Sequence, residues 1–405
     1  MKPIVRAGRM KPVHSDIRGP LFVEAMKRQK QGIDILKLNT GNPATFGFGL
    51  PDSIKNALME HMQDGVGYCD FKGMPQARQA ICDYETSKGI KGITSDDVFI
   101  GNGVSEVVSF ALTPLLNDGD EVLVPSPSYS LWGNSVYLED GKPVFYTCDE
   151  QANWYPDIQD IRSKITDKTK AIVIINPNNP TGVLYPKELL LEIIQIARES
   201  GLLIFADEIY DRLVMDGKQH ISLASLTEDV PVITLNGLSK SHCLCGYRCG
   251  WMVISGPREL TEDYRQGIIQ LTSLRLCANT MAQIVIPAAL DDMETPASMV
   301  RPGGRIYEQR EATVRELEKI DGLSFVKNDA AFYVFPKLDV KKFNITNDKQ
   351  FAHDLLDVTN ILLVPGSGFD WKDPDHFRIV MLPQADILSD AIRRMETFLD
   401  GYKQK

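Results

Sequence analysis

The chain has 405 residues, with 54 acidic against 44 basic side chains and a formal net charge of −10. That length buries a sizeable core and predicts two domains, since single cores stop growing well below this size. An acidic balance with scattered basic residues argues against nucleic-acid and anionic-membrane partners. No apolar stretch approaches a membrane span, and Met1–Arg6 lacks the apolar core of a signal peptide, so the cytoplasm is the expected compartment. Seven cysteines, odd in number and irregularly spaced, fit a reducing compartment better than a secreted disulfide framework.

In chain order, Asp97 to Ile100 reads as a strand, followed by a glycine-rich turn and an apolar helix from Ser105 to Leu116. Glu121–Val124 is the next strand, then Ala171–Ile175, the amphipathic helix Pro186–Glu199, the strand Leu202–Ala206 and the strand Val232–Leu235. Toward the C-terminus, Ala331–Phe335 and Ile361–Val364 are strand-like patches among helical stretches. Short continuous apolar runs separated by helical patterns predict an α/β fold with a mostly parallel sheet buried on both faces. Ligands of such sheets sit outside the carboxyl ends of the strands, so the residues just past each run carry the functional information.

After the first strand comes Gly101-Asn102-Gly103-Val104-Ser105-Glu106, which can aim backbone N–H groups and the Ser105 hydroxyl at a phosphate, or serve as a tight turn with Ser105 as N-cap. It is not a dinucleotide fingerprint, because the third glycine and the ribose-binding acid are missing. After the second, Pro125-Ser126-Pro127-Ser128-Tyr129 offers a ring for stacking on a flat heterocycle or for plain packing. The third strand runs into Asn176-Pro177-Asn178-Asn179-Pro180-Thr181-Gly182, where two X-Pro units fix the backbone and Asn179 can hydrogen-bond a phenolate or carboxylate. The fourth ends in Asp207-Glu208-Ile209-Tyr210; a carboxylate at the mouth of a buried strand needs a cation or a protonated ring nitrogen.

Past the last of these strands stand Lys240 and, eight residues on, Arg248: an amine and a guanidinium suited to holding a phosphorylated aldehyde by imine and ion pair. His242, Cys243, Cys245 and Cys249 crowd the same segment. Their spacing matches no zinc pattern, so they read as small packing residues and no metal is expected.

Asn176–Gly182, Asp207–Tyr210, and Ser239-Lys240 followed by Gly246-Tyr247-Arg248 together resemble the signature of class I pyridoxal-phosphate aminotransferases, over essentially the whole chain. A narrower likeness, to bacterial glutamate-pyruvate (alanine) aminotransferases, is carried by Asp16–Pro20, Leu38–Pro43, Asn236–Lys240 and Pro302–Arg305. The resemblance implies fold type I: a large cofactor domain over 45–295, and a smaller α/β domain built from 1–44 and 296–405. It implies pyridoxal 5′-phosphate joined to Lys240, with Asp207 on the ring nitrogen, Asn179 and Tyr210 on the phenolic oxygen, and Tyr129 stacked on the ring. It places Gly103, Val104, Ser105, Ser239 and Arg248 around the phosphate, and has Tyr68 reach the phosphate of a neighbouring subunit, hence a homodimer with shared active sites. Gly41, Asn179 and Arg378 would hold the substrate carboxylate.

The expected reaction is alanine plus 2-oxoglutarate giving pyruvate and glutamate by a ping-pong mechanism, with lysine as the proton shuttle. Arg18 is the candidate for reading the substrate side chain. An aspartate or aromatic aminotransferase, or a cystathionine β-lyase, would share the same core; a non-catalytic pyridoxal-phosphate effector module would carry a fused basic helix-turn-helix arm. The residues 241–245 just past the lysine depart from the family pattern, which expects bulkier or polar side chains there.

Overall fold

The computed structural model of the chain describes residues 2–405. An eight-stranded sheet organises the middle of the chain. Its strands are β1 (Val98–Asn102), β2 (Glu121–Ser126), β3 (Lys142–Asp149), β4 (Tyr155–Pro156), β5 (Thr169–Ile175), β6 (Leu203–Asp207), β7 (Val232–Gly237) and β8 (Cys249–Ser255), in the spatial order β1-β8-β7-β6-β5-β2-β3-β4. The pairs β2·β3, β2·β5, β5·β6 and β6·β7 are parallel, while β8 runs against both β1 and β7, and β4 against β3.

The apolar runs are strands because alternate residues serve two cores. Ile172, Ile174, Ile204 and Val232 enter one cluster with Leu190, Ile193 and Ala197 of helix Lys187–Ser200. Ala171, Val173, Phe205, Ile233 and Met252 enter another with Val107, Val108 and Ala111 of helix Val104–Leu112. Both faces are thus covered, as an unalternating apolar run requires.

Three sequence expectations are corrected. The helix read as Ser105–Leu116 spans Val104–Leu112, because Pro114 cannot donate to the helical ladder. Strands β3 and β8 were missed: β3 mixes exposed and buried positions, and β8 begins in a Cys-Gly pair that resembles the loop before it. The C-terminal patches are shorter than read, with Tyr333–Val334 and Val364–Pro365 flanking Phe377–Val380 in a three-stranded antiparallel sheet.

That small sheet packs with helices Asp348–Thr359 and Ala385–Leu399 in a separate core containing Phe351, Leu355, Phe377, Leu388 and Ile392. Residues near the N-terminus join this layer, since Leu36–Lys37 pairs in parallel with Ile361–Leu362. No helix among the described residues is long and apolar enough to cross a membrane.

Candidate active site

Asp207 closes β6 and is 5% exposed. Its carboxylate accepts hydrogen bonds from Trp132 Nε1 at 3.1 Å and from the Ile209 N–H at 3.4 Å, and among the described residues no ammonium or guanidinium pairs with it. Burial pushes its pKa up to about 6 against those two donors, and the charge of Glu208 adds to the rise. A buried carboxylate held this way calls for a cationic partner.

Gly237 leads from β7 into the short helix α1 (Leu238–Ser241), which presents Lys240. Lys240 Nζ donates to the Gly41 carbonyl at 3.0 Å, lies 3.9 Å from Cys245 Sγ, and sits 5.9 Å from the centre of the Phe332 ring. Burial presses this amine toward neutrality, but Tyr333, Cys245 and Tyr129 outweigh it and the net direction is upward. Gly41 tolerates no side chain, since an added Cβ would strike the Tyr333 hydroxyl and come within 2.9 Å of Phe332.

Arg378, on Phe377–Val380, is 1% exposed. One terminal nitrogen donates to Asn179 Oδ1 at 2.8 Å, the other to the Asn39 carbonyl at 2.5 Å, and Nε is buried without a partner. The guanidinium lies between the Tyr333 and Phe369 rings, 4.5 and 4.6 Å from their centres. A buried cation with only neutral partners and an unsatisfied N–H is suited to a carboxylate. Tyr210, whose phenol burial drives well above its ordinary pKa, has its hydroxyl 2.9 Å from that of Tyr333, so it stays protonated and able to donate.

At the other end, β1 passes through Gly103 (φ +84°) into the helix Val104–Leu112. A Cβ at Gly103 would collide with the Arg248 guanidinium, and one at Gly250 of β8 with the Val104 nitrogen. Arg248 is itself left-handed (φ +56°) and donates to the Cys245 carbonyl at 3.0 Å. Ser105 is half-buried at this helix start, and Ser239 is buried beside Lys240. First-turn N–H groups facing a guanidinium are a ready phosphate cradle. A phosphate cradle, a lysine amine, a carboxylate awaiting a protonated nitrogen and phenols able to bond a ring oxygen are the donor set a phosphorylated pyridine aldehyde requires. On these grounds the residues fit pyridoxal 5′-phosphate.

Of the residues singled out in the sequence, Lys240, Asn179, Tyr210, Arg378 and Gly41 meet directly or through one intermediary, Asp207 is close enough to feel the charge of Lys240, and half-buried Tyr129 is close enough to act on the charges of Lys240 and Arg378. Gly103, Val104 and Arg248 meet in the cradle. Tyr68 does not join the site within one chain; it is 84% exposed. Arg18 is exposed, although the carbonyl of Ile17 before it accepts from Asn39 Nδ2 at 2.8 Å, two residues before Gly41. Sequence reasoning missed Trp132, Tyr333 and Asn39: the first lies inside a helix, the second in a strand read only for fold, and the third acts through its backbone. The cysteines past the lysine face separate neighbours, Cys243 toward Met299 and Cys245 toward Lys240, while Cys249 is buried in β8.

With that geometry fixed, comparison with known proteins decides the family. The family "Aminotransferase class I and II" matches residues 33–392. The chain is a class I/II aminotransferase. The aminotransferase is 50% identical over 404 residues to glutamate-pyruvate aminotransferase of Haemophilus influenzae, covering 100% of both chains. It is 44% identical to alanine aminotransferase of Mycobacterium tuberculosis, over 100% of this chain and 94% of the relative. Among solved structures, an Escherichia coli aminotransferase superposes with a TM-score of 0.98 at 47% identity over the whole of both chains. Alanine aminotransferase from Pyrococcus furiosus does so with 0.93 at 41% identity, over 98% of this chain and 100% of the other.

Proposed function

We propose that this aminotransferase carries pyridoxal 5′-phosphate on Lys240 and moves amino groups between alanine and 2-oxoglutarate, giving pyruvate and glutamate in a ping-pong sequence. The observation that carries the reading is the convergence of three groups with incomplete charge pairing: half-buried Lys240 and buried Asp207 and Arg378. The alanine assignment is supported by full-length relatives named for that reaction.

When bound, pyridoxal phosphate supplies an aldehyde that takes up the amino group and a conjugated ring that accepts the electron pair left behind at the substrate alpha carbon. Asp207 would hold the ring nitrogen protonated, because its buried anion gains most from a cation beside it. Tyr210 and Asn179 donate to the ring oxygen, and Tyr129 covers the ring face. Gly103, Val104, Ser105, Ser239 and Arg248 bind the phosphate. Lys240, once its amine is free, would take the proton from the substrate alpha carbon and deliver it to the cofactor carbon on the far side of the amino nitrogen. Arg378 orients the substrate through its carboxylate, with Asn179 and the Gly41 backbone completing that subsite.

The same reading makes the enzyme a cytoplasmic homodimer, with Tyr68 of each chain reaching the phosphate of the other and Arg18 at the substrate side-chain end. It divides the chain into a large domain, 45–295, and a small one, 1–44 with 296–405, which closes over the substrate. The test is a half-reaction panel: single amino acids are added to the cofactor-loaded enzyme and conversion to the amine form is followed by absorbance. Alanine and glutamate are expected to convert it. Conversion by aromatic amino acids or cystathionine, with alanine and glutamate inert, would overturn the substrate assignment.

A further inference from the structure

Beside the active site lies a buried charge cluster that the mechanism above does not use. Lys88 follows helix Pro75–Ser87, and its Nζ lies 2.7 Å from Glu85, 2.7 Å from Glu208 and 3.1 Å from Asp211. The three carboxylates are at most 3% exposed. Glu208, Asp211 and His220 hold ligand atoms within 4.8 Å of one another, a spacing a metal ion could use, but the Lys88 ammonium stands in the cation position between Glu208 and Asp211.

The partners of this ammonium reach the ends of β5, β6 and β7, which lead to Asn179, Asp207 and Lys240. Glu208 and Asp211 bracket Tyr210 and follow Asp207 at the end of β6. Asp211 accepts from Asn236 Nδ2 at 2.7 Å, on β7 four residues before Lys240, and the Glu208 N–H donates to the Leu235 carbonyl at 2.9 Å. His220 Nε2 lies 3.9 Å from Glu208 and 3.1 Å from the carbonyl of Asn176, where the loop bearing Asn179 leaves β5. Glu85 accepts from Trp251 Nε1 of β8 at 3.1 Å. Ser222 and the Leu223 N–H hold the second Glu208 oxygen, at 2.9 and 3.1 Å.

The charges around Lys88 are unequal. Burial drives Glu85 up toward its neutral form and His220 down toward its own, while Lys88 is held well above its ordinary value by Glu208, Glu85 and Asp211 against burial. Asp211 is held below its ordinary value because Lys88, His220, Tyr84 and Arg212 together outweigh its burial. Tyr84 donates to Asp211, and the Arg212 guanidinium lies 4.3 Å from the centre of the Tyr84 ring. One ammonium therefore sits against the carboxylates of Glu85, Glu208 and Asp211, and Glu208 adjoins Asp207 in the chain.

We propose that Lys88 is a positioning residue for transamination. Its ammonium fixes the ends of β5, β6 and β7 relative to one another, and so the spacing of Asn179, Asp207, Tyr210 and Lys240, and it offsets the Glu208 charge felt by Asp207. This inference rests on the roles proposed above for those four residues.

The test compares Lys88→Met, Lys88→Arg, Glu208→Gln and the double variant Lys88→Met/Glu208→Gln. Two quantities are read: kcat and KM for alanine per bound cofactor, and the pH dependence of pyridoxal phosphate binding to the cofactor-free protein. In Lys88→Met, kcat falls roughly 100-fold, the scale of a misplacement near 1 Å, with KM close to wild type. Its Asp207 limb in the binding profile moves to higher pH, because Glu208 is no longer offset. Lys88→Arg recovers part of kcat, and the double variant returns the limb toward wild type while kcat stays low. Should Lys88→Met not fold, Glu208→Gln carries the test with a limb moved to lower pH. A wild-type kcat and an unmoved limb in Lys88→Met, or an unmoved limb in Glu208→Gln, overturn the inference. A wild type that binds no pyridoxal phosphate would instead sink the proposed function.

Discussion

Replacing Asp207 by Asn is predicted to stabilise the cofactor-free protein at neutral and alkaline pH. The folded-state pKa of Asp207 is raised to about 6 from an ordinary value of 3.8, chiefly by burial. With the side chain 5% exposed there is little solvent screening to discount. Above pH 6 the folded protein holds an anion it would rather not, and each pKa unit is worth about 1.4 kcal/mol, so the penalty approaches about 3 kcal/mol. The sign follows from proton binding: between the two values the folded chain binds more protons than the unfolded one, so stability falls as pH rises through that window. Urea unfolding of wild type and Asp207→Asn, at one protein concentration and without cofactor, should show the variant ahead by about 3 kcal/mol at pH 8 and by about half that at pH 5. With pyridoxal phosphate the order reverses, because the wild-type carboxylate then gains its cation. A difference independent of pH, or a variant less stable than wild type at pH 8 without cofactor, would refute the reasoning.

Arg378→Lys keeps the charge but loses the second arm of the fork. It should cost about 1.5–3 kcal/mol of carboxylate binding, and alanine and glutamate should lose kcat/KM alike in stopped-flow half-reactions, since both present the same carboxylate. His14 ties the N-terminal arm to the C-terminal part of the chain, with Nε2 2.9 Å from Asp370 and Nδ1 3.5 Å from Asp16, while Lys349 faces Asp16 and Asn134 accepts from the His14 N–H. Those carboxylates raise its pKa from 6.5 to about 9, so the tether is at full strength below pH 6.5 and is lost as pH rises through 9. Hydrogen exchange over residues 8–19 should therefore speed up between pH 8 and 10 more than intrinsic exchange does, and His14→Gln should show the fast rate already at pH 7.

The strand ends were the legible part of the site. Buried parallel strands appear as unbroken apolar runs, so Asp207 and the Asn176–Gly182 loop stood out as polar groups just past them. Contacts made across the sheet order were not legible. Trp132 meets Asp207 although they are 75 residues apart, and Tyr333 reaches Tyr210 across 123. Asn39 contributes a carbonyl, which no side-chain pattern reports. Lys88 gave no sequence signal, because Glu208 and Asp211 stand 120 and 123 residues from it and meet it only in the fold. Tyr68 is exposed in the single chain, and the contact with a neighbouring subunit proposed for it is one that a single chain cannot display.

Absorbance of the purified enzyme supplemented with pyridoxal phosphate, wild type beside Lys240→Ala, tests the central claim most directly. A near-visible band in wild type that alanine bleaches, and that is missing from a Lys240→Ala protein still folded by circular dichroism, is the predicted result. The same band with the same response to alanine in both proteins would contradict it.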